Sequence, residues 1–138
     1  PDMIIHLGDC WADAEQLHRK FPMTVMEQVP GNCDCRQEVQ ERILLIEGKK
    51  ILICHGHTFN VKAGYLNLEY AAEERKVDAA LFGHTHRVFY DKHNRITYMN
   101  PGSIGQPPYG IPPSYGVLQV DGSSNTIATD VIYLEENN

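Results

Sequence analysis

The chain has 138 residues, 42% of them hydrophobic and 22% charged, with a net charge of -6. That length and balance describe one ordinary folded domain with a buried core and exclude a disordered chain. The acidic surplus excludes a broad nucleic-acid surface, yet it leaves room for a phosphate-ester substrate, because bound cations would dominate the local field.

No apolar run approaches the roughly 20 residues of a membrane span. The opening "PDMIIHLGD" has no basic region followed by a long apolar stretch, as a secretory leader would. "DMIIHLGD" reads as a short buried strand. "WADAEQLHRKF" follows, with Trp11, Ala14, Leu17 and Phe21 at helical spacing and Pro22 closing the helix. "TVMEQVPGN" is a second strand, stopped by Pro30 and Gly31. "RILLIEGKKILICHGH" is two apolar runs around Gly48, Lys49 and Lys50, the pattern of a hairpin.

The longest helix is expected over "NVKAGYLNLEYAAEERK", with Leu66, Tyr70 and a Glu69/Glu73 to Arg75/Lys76 charge pattern on its exposed side. "VDAALFG" is a further buried strand, and "RVFYD", "RITYMN", "YGVLQVDG" and "TIATDVIYL" follow as hairpin-like strands between Asx and Gly turns. Strands alternate with helices early and run consecutively late. This predicts a mixed α/β sandwich, not a doubly wound sheet.

The cysteines are Cys10, Cys33, Cys35 and Cys54. The C-x-C of "NCDC" does not fit the C-x2-C zinc knuckle, and packed, reduced thiols of a cytoplasmic protein are the better reading.

Four strand-like runs end in polar residues beside glycine: Gly8-Asp9, Gly31-Asn32, His55-Gly56-His57 and Gly83-His84-Thr85-His86. Ligands of α/β folds bind outside the carboxyl ends of strands, so these tips can converge on one rim. His6, His18 and His93 read as packing or surface histidines. Asp9 or Asn32 alone would read as a turn residue, but five such groups at strand ends call for another explanation. Asp9, Asn32, His55, His84 and His86 form a mixed oxygen and nitrogen donor set that suits manganese, iron, zinc or nickel better than calcium or magnesium. In extended chain the Cα atoms of His84 and His86 lie roughly 6.6 Å apart, which lets each serve one of two ions roughly 3.5–4 Å apart.

In their order, "GD", "GNCD", "HGH" and "GHTH" resemble the calcineurin-like metallophosphoesterases, and with "NPGSIG" the likeness is to the small prokaryotic phosphodiesterase branch. The resemblance implies a four-layer α/β/β/α sandwich over residues 1–138, with a dinuclear site for two divalent transition-metal ions, manganese first. It implies that Asp9 bridges both ions, that Asn32, His55 and His84 complete one shell, and that His86 binds the other. Asp9, Asn32 and His84 would be the catalytic residues, with Asn32 close to the substrate phosphate and His57 a substrate residue.

The family also opens with an Asp-x-His element at the end of its first strand, supplying ligands to the ion of His86. None precedes "PDMIIHLGD", so a strand and helix unit of on the order of 30 residues is expected to be lacking. Where many relatives carry a histidine after the Asn of "GN", this chain has Cys33. A thiol of reference pKa ~8.5 is a poor proton donor in its place, which favours diesters and good leaving groups.

The expected function is hydrolysis of a small phosphate ester, most of all a diester, by a metal-activated water. The competing readings are a non-catalytic protein-binding scaffold on the same fold and a single-metal hydrolase. A homo-oligomer is compatible with either.

Overall fold

The computed structural model describes residues 1–135. In chain order the elements are β1 (Met3–His6), α1 (Trp11–Lys20), β2 (Val25–Gln28), β3 (Glu41–Ile46), β4 (Lys49–Cys54), α2 (Leu66–Glu74), β5 (Ala79–Leu81), β6 (Val88–His93), β7 (Ile96–Pro101), β8 (Ser114–Asp121) and β9 (Thr126–Tyr133), with a short 3-10 turn at His57–Phe59. The central sheet has the order β3-β4-β5-β7-β6, while β1-β2 and β8-β9 form two-stranded ribbons.

Side-chain alternation along the central strands builds two cores, since successive residues of a strand point to opposite faces. Leu52, Cys54, Ala80, Phe82, Ile96 and Tyr98 pack with Leu68 and Ala72 of α2 on one face. Ile51, Ile53, Ala79, Leu81 and Met99 pack on the other, against Met3 and Ile5 of β1, Leu118 of β8, and Ile127 and Val131 of β9. Ala14 is the buried residue of α1. The fold is therefore a mixed α/β sandwich, with α2 on one face of the central sheet and the paired ribbons on the other, as the sequence pattern predicted. Truncating a side chain such as Leu52 to Ala should cost about 2–5 kcal/mol.

Three local expectations are corrected. Phe21 caps α1 instead of completing its buried stripe and is 53% exposed. Helix α2 begins only at Leu66, because Asn60 and Gly64 adopt positive φ that a right-handed helix cannot contain. The β3–β4 turn is Glu47-Gly48, both at positive φ as a two-residue hairpin turn requires, so Lys49 and Lys50 belong to β4.

Among the described residues, β1 has only β2 as a neighbour and β8 only β9. Their other edges line a groove of about 650 Å³, with Leu81, Met99 and Ile46 among its apolar lining. Two unpaired edges over an apolar floor present backbone N–H and C=O groups as a strand would meet them. No helix among the described residues is long and apolar enough to cross a membrane.

Candidate active site

The carboxyl ends of β1, β2, β4 and β5 bring Asp9, Asn32, His55 and His84 together, as the pattern of glycine-flanked strand tips predicted. The buried His55 is the hub. Its Nδ1 donates to the carbonyl oxygen of Leu7 over 2.8 Å, and a neutral imidazole fixed in this way turns a bare Nε2 lone pair outward. That Nε2 lies 3.1 Å from Asn32 Oδ1, 3.2 Å from His84 Nδ1 and 3.4 Å from Asp9 Oδ2. Burial lowers the His55 pKa, and burial with the neighbouring His55, Lys62 and His57 pushes His84 down to about 4.

This donor set fits a cation. Electron pairs converge on a point where at most His84 can offer a proton. Atoms sharing one ion at roughly 2.1 Å lie roughly 3.0–3.4 Å from one another, for octahedral or tetrahedral shells. The observed separations from Nε2 fall in that range. No three His, Cys, Asp or Glu side chains among the described residues form a metal cage by themselves.

His86 is not joined to the cluster by any hydrogen bond or ring contact found among the described residues. The expected extended run is corrected as well: His84 and His86 have φ of 69° and 61°, both left-handed. The reason lies in β7, where buried Asn100 donates from Nδ2 to Gly83 O and Thr85 Oγ1 at 3.0 and 2.9 Å. The Thr85 amide also donates to Gly83 O, curling the loop tightly. The ring of His57 does reach the site, 5.3 Å from that of His55 and 6.1 Å from that of His84. Its Nδ1 is buried without a partner. The chain does hold one Asp-x-His, Asp91-Lys92-His93, but on the outer strand β6, where all three residues are exposed and His93 meets Asn94.

Sequence reasoning missed Asp34. Its carboxylate accepts the backbone N–H groups of Asp9, Trp11 and Gly31 at 2.8, 3.0 and 2.7 Å. It thereby ties the β1 tip to the β2 tip and caps α1, whose own N-cap residue Cys10 offers no side-chain bond. The available signal was its place two residues after Asn32. Asn100 of "NPGSIG" holds the curled loop through Gly83 O and Thr85 Oγ1. Gly31 is required because a Cβ there would overlap Asp9 Oδ1. Gly8 is required because its φ is 112° and a Cβ would lie 2.5 Å from His55 Nδ1.

The family model for the calcineurin-like phosphoesterase superfamily domain matches residues 1–123. The chain belongs to that superfamily. This phosphoesterase domain is 35% identical over 128 residues to "Probable metallophosphoesterase YsnB" of Bacillus subtilis, covering 91% of the domain and 73% of that protein. It spans about half the length of two other curated relatives, 53% and 50%. Among solved structures, the fold is similar to that of a conserved protein of Streptococcus pneumoniae described as a predicted phosphoesterase, with a TM-score of 0.78 at 22% identity, over 95% of the domain and 88% of that chain. It is also similar to zinc-complexed Vps29 of Entamoeba histolytica, with a TM-score of 0.74 at 19% identity, over 96% and 82% of the two chains. At such identities these two likenesses speak for the fold alone.

Proposed function

We propose that this phosphoesterase domain hydrolyses phosphodiesters with divalent transition-metal cations held at the rim, manganese first. The observation that carries the reading is the convergence of Asp9, Asn32 and His84 on the bare Nε2 of His55. Calcineurin-like phosphoesterases use divalent metals, and bound cations of this kind supply a water of lowered pKa and neutralise phosphoryl charge.

The chain's own residues do the rest. The Leu7 carbonyl holds His55 in the ligating tautomer. Asn32 turns its oxygen toward His55 and, on its exposed side chain, keeps the amide nitrogen for a phosphoryl oxygen. The ring of His57, 5.3 Å from that of His55, suits a second contact to substrate. Exposed Cys33 stands where an imidazole would protonate a poor leaving group, which favours diesters with good ones. His86 would serve a second ion. Of the thiols expected to be packed, Cys54 is buried, whereas Cys10, Cys33 and Cys35 are exposed in the loops around the site.

A second reading, a single-cation hydrolase, has its own support, because the assembled donors surround one centre and His86 stands apart. The test is activity on bis(p-nitrophenyl) phosphate after exhaustive chelation and after manganese is returned. Chelation should abolish hydrolysis and manganese restore it; activity indifferent to chelator rejects the reading. Two manganese per chain by elemental analysis would favour the dinuclear form, and one the single-cation form.

A further inference from the structure

We propose that the groove between α1 and the 33–36 loop is a subsite for an uncharged, planar aromatic substituent of the diester, a nucleobase, seated against Trp11 and Arg36. The inference rests on the phosphodiesterase reading and names the class of substrate.

The groove measures about 480 Å³, and Asp9 forms part of its lining. It therefore opens beside the donor cluster, within reach of one of the two substituents of a diester whose phosphorus meets that cluster. Small-molecule sites commonly have volumes of ~300–1,000 Å³, so the groove suits one nucleoside and not a polymer. Its walls are fixed before any ligand arrives. Asp34 ties Asp9, Trp11 and Gly31 together by their amides, and the Trp11 indole N–H donates to Glu15 Oε1 at 2.8 Å, locking the ring.

The Arg36 guanidinium lies 4.7 Å from the centre of that ring. Glu38 engages its Nε and Nη2, at 3.1 and 2.8 Å, and holds its plane in place. A guanidinium stacked on an indole is a flat, polarisable surface that receives another flat group, and such stacking is tolerant of base identity. Gln106 lines the same groove, with a carboxamide that can pair with a base edge.

Charge decides against other occupants. Asp9, Glu15 and Asp34 line the groove, and its one guanidinium is already paired with Glu38. A second phosphate would meet net negative potential, and the flat Arg36–Trp11 stack offers its fullest contact to a fully planar ring. An uncharged base satisfies both conditions.

Trp11 is the only tryptophan in the chain, so intrinsic fluorescence reports on this groove alone. Adenosine should quench it saturably, with or without manganese, and ribose should not. In the manganese-loaded chain, kcat/KM for thymidine 5′-(p-nitrophenyl phosphate) should exceed that for ethyl p-nitrophenyl phosphate, which has the same leaving group. Trp11→Ala and, independently, Arg36→Ala on the surface loop should each shrink that preference about tenfold, chiefly through KM. Trp11→Phe should keep most of it. Equal responses to adenosine and ribose, or a preference unmoved by both alanine variants, would overturn the subsite. Failure of the unmodified chain to cleave either ester would instead sink the phosphodiesterase reading, while the adenosine titration, which needs no turnover, still decides the groove.

Discussion

The Nδ1 of His55, just beyond β4, donates to the carbonyl oxygen of Leu7, just beyond β1, over 2.8 Å. The bond joins the two sheets at the rim and chooses the tautomer of the residue on which the other three donors converge. A backbone carbonyl only accepts, so Nδ1 must carry the proton and Nε2 is left to ligate.

Replacing His55 by Ala should therefore cost more than one ligand. It removes the common neighbour of Asp9, Asn32 and His84 and leaves the Leu7 carbonyl without its partner. Manganese affinity should fall at least about 100-fold, the upper end of the effect of losing a mere supporting partner, and diesterase activity should fall with it. Isothermal titration of folded variant with manganese checks this; affinity within a few-fold of the parent would show that the cluster is not the metal site.

The histidine pair should behave unequally. His84 touches the cluster and His86 does not, so His84→Ala should strip most bound metal from this chain while His86→Ala leaves most of it. Elemental analysis of both variants after gel filtration gives the answer. Equal losses would mean that both side chains serve one ion.

Asp34→Ala should destabilise the fold. Three backbone donors would lose a carboxylate acceptor near the partly buried junction of β1, β2 and α1. Bonds to charged groups contribute roughly 1.5–3 kcal/mol each, and partial rescue by water brings the expected total to about 2–4 kcal/mol. Urea unfolding should show it, with Asp34→Asn intermediate. A midpoint unchanged by the alanine variant would contradict the tie.

Acid should destabilise the metal-free protein before carboxylates begin to titrate. Burial lowers the pKa of His55, and burial with neighbouring histidines and Lys62 takes His84 to about 4, against roughly 6.5 when unfolded. Between those values the unfolded chain binds more protons, so stability rises with pH. The contribution is complete above about pH 6.5 and is lost as pH falls from there toward 4. Urea midpoints should drop from pH 7.5 to pH 5.5, and drop less in His84→Gln. A midpoint that climbs on acidification would refute the assignment.

The layered fold was legible in the sequence because both of its periods are short-range. The unbroken apolar runs "ILIC" and "AALF" mark strands buried on two faces, and glycine before Asp9, Asn32 and His84 marks tips where backbone must turn under close contact. Those signals also identified four residues that do meet. The sequence did not reveal that the loop carrying His84 and His86 is curled and not extended, because that follows from Asn100 on a neighbouring strand. It did not reveal the tie made by Asp34, whose three partners include residues 25 and 23 positions away. Nor did it reveal the stack of Arg36 on Trp11. Local pattern determines which backbone segments can form strands and tips; which side chain then satisfies an orphan amide or covers a ring depends on loops packed from distant parts of the chain, and only the tertiary structure decides that.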